Sequence, residues 1–237
     1  MSAYTTIEWV DGKVRMLDQR LIPLQVSYQE YNDAQGVAYA IQAMVIRGAP
    51  AIGAAAAYGL ALAAVHSQAA EVGALRAEIL EAARVLRRSR PTAVNLSWAL
   101  DRVISRLDAL EDPTVHDIQE VILCEAHSIA QEDVRTNRRI GLNGLAVVPD
   151  VANILHHCNT GALATVDYGT ALGVIRAAHE HGKQVHVYVD ETRPRLQGAR
   201  LTSWELKQLG IPHTVIVDGA SGHIMRSRGV QLCLVGC

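Results

Sequence analysis

The sequence predicts an α/β protein in two parts: a small N-terminal antiparallel sheet with a helical domain, followed by a Rossmann-like parallel-sheet domain. Three observations carry this reading. Apolar and polar residues alternate over 7–28, the apolar period becomes helical over 32–140, and strand and helix patterns then alternate to the C-terminus. The boundary is expected near residue 143, giving domains 1–143 and 144–237, the second of them incomplete.

The alternation over 7–28 is centred on Asp11-Gly12, a pair suited to a two-residue hairpin, and a third short extended run follows it. Leu75, Ile79, Ala83 and Leu86 then mark one helical face, and Ile118, Ile122, Ala126 and Ile129 mark another. The run 48–65 is mostly Ala and Gly with Pro50 near its start, which predicts a buried, tightly packed helix rather than a membrane span. Two glycines, an asparagine and a proline over 141–149 punctuate the pattern, as expected at a domain junction.

Beyond the junction, strands are expected at 152–158, 184–191, 213–218 and 230–235, with helices at 165–181, 203–209 and 219–228 between them. Gly182 and Gly210 fall just past helix ends, and Pro212 prevents continuation. Thr202 with Glu205 reads as a capping box. Gly169 and Gly173, four apart in the expected helix, read as contact points of helix on sheet. The sequence stops at Gly236-Cys237, at the carboxyl end of a strand, so it is expected to be a fragment.

Composition narrows the function. With 22 Lys+Arg against 24 Asp+Glu, the formal charge of −2 offers no electrostatic excess for a polyanion, and nucleic acid and membrane are not expected partners. Hydrophobic residues reach 49% and charged residues only 19%, so the chain folds. Aromatic residues are 4% and Phe is absent, which leaves few platforms for stacking bases. Four scattered cysteines and a polar, acidic N-terminus indicate a reducing, cytoplasmic compartment.

Cys158 closes an apolar strand with a helix expected within a few residues, a setting that favours a reactive thiol, although a free cysteine is also a common core residue. Alternation puts His156, and not His157, on the face of Cys158, so no metal site is expected. Arg47-Gly48-Ala49-Pro50 combines a cation, a glycine and a helix start, which suits an anion, while an Arg47 ion pair and a Gly48 turn account for it equally. Arg90 ends a helix already rich in arginine, where complementing the helix dipole accounts for it more readily than contact with a ligand. The loop after the strand at 184–191 is polar, either lining a sugar or phosphate site or forming a solvated Asp190–Arg193 pair.

These fragments form one series: IRGAPAIG at 46–53, SRPTAVNL at 89–96, HCNTGALAT at 157–165, YGTALGVIRAAHE at 168–180 and ETRPRLQGARLTSWEL at 191–206. Their order and spacing resemble the methylthioribose-1-phosphate isomerases of methionine salvage. The wider superfamily includes ribose-1,5-bisphosphate isomerases and the regulatory subunits of the exchange factor for translation initiation factor two, which give the alternative functions. The resemblance implies an aldose-ketose isomerase acting on a small phosphorylated sugar, without cofactor, as a homodimer. By position it makes Cys158 catalytic and Arg47, Gly48, Ala49, Arg90 and Gln197 substrate-binding. The family's second catalytic residue, an Asp, is expected immediately after Cys237, and the chain as it stands is expected to be impaired without it.

Overall fold

A computed structural model describes residues 4–236. The chain divides into two compact units, one holding Thr5–Arg20 and Ser27–Asp133, the other Tyr4, Leu21–Val26 and 134–236.

In the first unit, β1 (Ile7–Val10), β2 (Lys13–Leu17) and β3 (Tyr28–Tyr31) form an antiparallel sheet in that order. Asp11 and Gly12 both have positive φ, 49° and 75°, as the tight hairpin requires. Four helices follow: α1 (Ala34–Gln42), α2 (Ala49–Val65), α3 (Val72–Ser89) and α4 (Val94–Asp108). Helix α2 is apolar all round and is enclosed accordingly. Its small residues let neighbours approach closely, since a Cβ on Gly59 would lie 2.9 Å from the Leu86 side chain. The predicted faces are buried, Leu75, Ile79 and Leu86 on α3 and Ile118, Ile122 and Ala126 on α5 (Val115–Gly144). The unit boundary falls within α5, and the junction expected at residue 143 lies in its last turn. Among the described residues, no helix is long and apolar enough to cross a membrane.

The second unit continues with β4 (Val151–His156), α6 (Ala171–Glu180), β5 (Gln184–Asp190), α7 (Ser203–Gln208), β6 (His213–Ile216), α8 (Ser221–Ser227) and β7 (Val230–Leu234). The four strands are parallel in the order β6-β5-β4-β7. Ile154, Val187, Val189, Leu172, Ile175 and Leu206 centre its core. The strand order reverses beside β4, where such sheets open a crevice at their carboxyl ends.

Gly182 and Gly210 do take positive φ, at 83° and 69°, just past α6 and α7. Two local expectations fail. The helix expected from residue 165 begins only at Ala171, because Gly169 turns with φ 91° against Gly161, where a Cβ would lie 2.4 Å from the Gly161 Cα. Gly169 therefore serves a backbone-to-backbone approach, not a helix-to-sheet contact. The capping box also does not form: a π-helical turn (Gly198–Thr202) runs directly into α7, and Thr202 and Glu205 turn to other partners.

Candidate functional site

Strand β4 ends at His156, so the alternation expected to pair His156 with Cys158 stops two residues short of the thiol. His156 is fully buried, its Nδ1–H donating to the Leu234 carbonyl at 2.7 Å and its Nε2 lying 3.4 Å from Thr160 Oγ1. Burial pushes its pKa down to about 4, so the ring is neutral at pH 7 and ties β4 to β7. Cys158, half-buried, follows in the left-handed region with φ 66°, a conformation costing a non-glycine residue roughly 1–2 kcal/mol. The helix expected just beyond it is a single turn, Ala162–Ala164, so the thiol does not sit at the N-terminus of a long helix.

The loop after β5 closes around Cys158. The Cys158 N–H donates to Thr192 Oγ1 at 3.0 Å, and the Cys158 carbonyl accepts from Thr202 Oγ1 at 2.6 Å. Thr192 is itself left-handed, with φ 60°. Its N–H and that of Arg193 both donate to the Asp218 carboxylate at 2.8 Å, and these bonds hold the Asp218 carboxyl below the usual range. The expected Asp190–Arg193 pair is replaced by another arrangement. Asp190, buried, accepts from His157 Nδ1 at 2.8 Å and from Ser221 Oγ at 2.5 Å.

Gln197 is half-buried beside Gly198, where a Cβ would lie 1.7 Å from the Asp190 carbonyl oxygen. Only glycine lets the turn carrying Gln197 rest against the end of β5. Behind Cys158, Glu205 accepts from Asn159 Nδ2 and from Tyr4 OH, each at 2.6 Å. Donor atoms of His157, Asp190 and Asp218 lie within 4.8 Å of one another, the spacing of a metal site. Each carboxylate oxygen there already accepts an N–H or O–H proton, which accounts for the cluster without an ion.

In the first unit, α2 starts at Ala49 with Pro50 in its first turn and Gly48 capping it at φ 96°. Arg47 and Gly48 are half-buried and Ala49 is exposed. The chain thus enters this helix N-terminus through Arg47 and a glycine cap, and a helix N-terminus is chemically suited to a phosphate. Arg90 caps the C-terminus of α3, and its carbonyl accepts from the Ala93 N–H at 3.0 Å as the chain turns toward α4.

Asp218 and Ser221 join this hydrogen-bonded network without having been singled out in the sequence, while Thr192 belongs to the polar loop read there as a candidate lining. Thr192 and Thr202 lie within the ETRPRLQGARLT stretch, and Asp218 closes the HTVIVD strand pattern, which were the available signals.

The site joins a parallel sheet's carboxyl end to a strained, hydrogen-bonded cysteine, and known proteins share this chain's sequence. Residues 45–237 match the model of the initiation factor 2 subunit family. A methylthioribose-1-phosphate isomerase of Synechococcus sp. is 54% identical over 237 residues, covering all of this chain and 68% of that protein. Among solved structures, 5-methylthioribose 1-phosphate isomerase from Pyrococcus horikoshii superposes with a TM-score of 0.94 at 41% identity, covering 98% of this chain and 65% of that one. Translation initiation factor eIF-2B, subunit delta, from A. fulgidus gives 0.90 at 41% identity, covering 99% and 68%. The chain belongs to the initiation factor 2 subunit family and, within it, to the methylthioribose-1-phosphate isomerases. It spans about two thirds of the length of these relatives.

Proposed function

We propose that this chain carries the isomerase chemistry of its relatives, converting 5-methylthioribose 1-phosphate into 5-methylthioribulose 1-phosphate, with Cys158 as an acid–base group. A ribose whose anomeric oxygen bears phosphate cannot open by losing a hydroxyl proton. An acid must assist the ring oxygen, and a second group must manage the hydrogen on carbon 2. Cys158 takes one of these roles. Arg47, Gly48 and Ala49 hold the phosphate through the guanidinium and the first amides of α2, and Arg90 and Gln197 complete the contacts to the sugar. The observation that carries the reading is Cys158 itself: a half-buried thiol at the strand-order reversal, in a backbone conformation that its neighbours must maintain.

The test, in a full-length version, is Cys158→Ser, which lowers ketose formation by at least ~10²-fold with the fold and sugar binding retained, because a serine hydroxyl is much the weaker acid. Turnover near the parental value would reduce the thiol to packing. Arg47→Ala and Arg90→Ala weaken binding of the sugar phosphate by roughly 1–3 kcal/mol each in calorimetric titrations. A cytoplasmic homodimer belongs to the same reading, and light scattering at the mass of a single chain would contradict the dimer.

A further inference from the structure

Both polar backbone groups of Cys158 are taken by threonine hydroxyls from one stretch of chain. Thr192 Oγ1 accepts from the Cys158 N–H at 3.0 Å and donates to the Asp190 carbonyl at 3.1 Å. Thr202 Oγ1 donates to the Cys158 carbonyl at 2.6 Å and accepts from Asn159 Nδ2 at 3.2 Å. Each hydroxyl thus spends its single proton and a lone pair inside the same network. The threonines are buried, with 8% and 0% of their surface exposed, so water does not replace either bond. Cys158 and Thr192 are also both left-handed, at φ 66° and 60°, and the bond between them joins the two strained residues. A β-branched residue rarely adopts that region, and such conformations persist where the surroundings over-determine them.

We infer that Thr192 and Thr202 are positioning residues that clamp the Cys158 backbone in its left-handed conformation and thereby set the direction of its thiol in the reaction. The inference rests on the acid–base reading of Cys158. It separates hydroxyl from packing. Thr→Val keeps the shape and branching and removes the hydroxyl, whereas Thr→Ser keeps the hydroxyl and removes the methyl.

The experiment follows iodoacetamide alkylation of Cys158 in the purified chain by peptide mass spectrometry, with exposed Cys124 and Cys233 as internal references. Thr192→Val and Thr202→Val change the Cys158 rate at least ~5-fold relative to the references, while both serine variants stay within about 2-fold of the parent. In turnover by a full-length version, the valine variants lose about 10-fold or more in kcat with KM retained, as expected when a reacting group is misaimed, and the serine variants recover most of that loss. Parental alkylation rates in the valine variants overturn the clamp, as do serine variants as altered as valine ones. Should Thr202→Val not fold, the Thr192 pair decides. If Cys158→Ser retains turnover, the acid–base reading fails, and the alkylation contrast still judges the clamp by itself.

Discussion

The two ends of the parallel sheet differ in kind. At the carboxyl ends, Cys158, Asp190, Thr192, Thr202 and Asp218 converge in a hydrogen-bonded network around two left-handed residues. At the amino ends lies a cavity of about 570 Å³ lined by Val151, Ala152, Gly182, Lys183, Val185 and Pro212. Three of its polar side chains are bound to the scaffold: Lys183 Nζ donates to the Leu145 carbonyl at 2.9 Å, Asn153 Nδ2 donates to that of Arg228 at 2.8 Å, and His186 Nε2 lies 3.0 Å from Thr214 Oγ1. Cavity volume and converging polar groups therefore mark opposite ends of the sheet. Converging polar groups and strained backbone mark the end that suits chemistry.

The glycines at the two ends give the strongest way to break this contrast. Gly198→Ala puts a Cβ into the Asp190 carbonyl, and the neighbouring atom is backbone, which cannot step aside. A stability loss of at least ~3 kcal/mol in urea unfolding is expected, with loss of turnover. A well-folded, active Gly198→Ala protein would show that the turn carrying Gln197 does not need its close seat on β5.

His156 sharpens the same end through pH. In the unfolded chain it protonates near pH 6.5, in the folded chain only near 4, so its contribution is present above pH 6.5 and is lost as pH falls toward 4. About 2–3 kcal/mol should disappear between pH 7 and pH 4.5. Burial also lowers the pKa of His127 and of His186, so the difference between the parent and His156→Asn isolates His156. Equal pH slopes for the two proteins would contradict its burial as a neutral ring.

Smaller effects belong to the amino end. Gly182 has φ 83° with nothing within 4 Å of an added Cβ, so Gly182→Ala meets only the backbone cost of about 1 kcal/mol and leaves turnover intact. Gln184→Ala, exposed at the start of β5, should change stability by less than about 0.5 kcal/mol. A large loss of turnover from either one would move the site toward the amino-end cavity.

What the sequence made legible was whatever depends on near neighbours. Asp11-Gly12 announced the hairpin, the spacing of Leu75, Ile79 and Leu86 announced a buried helix face, and the alternation of patterns announced the parallel sheet. What escaped depends on distant partners. Thr202 looked like a helix cap because Glu205 follows at the right spacing, yet its hydroxyl is drawn to a carbonyl 44 residues away. The first turn of α6 also has a distant partner: Thr160 Oγ1, twelve residues back, accepts from the Leu172 N–H. Likewise, proximity in sequence offers Arg193 to Asp190 in one of the two readings of that loop, whereas folding brings it His157 and Ser221. Cys158 stood out by its position after β4, but nothing local signalled its left-handed backbone or the hydroxyls that hold it.

The most direct test of the central claim, that the sugar phosphate is handled at the carboxyl end beside Cys158, is protection of that thiol by substrate. Cys158, Cys124 and Cys233 are all free thiols in one chain, so a single alkylation time course compares the proposed site with two exposed references. Saturating 5-methylthioribose 1-phosphate should slow alkylation of Cys158 by about 10-fold or more while Cys124 and Cys233 react as before, since a bound sugar covers only the thiol at its own site. Alkylation of Cys158 at an unchanged rate under saturating sugar phosphate would contradict the assignment.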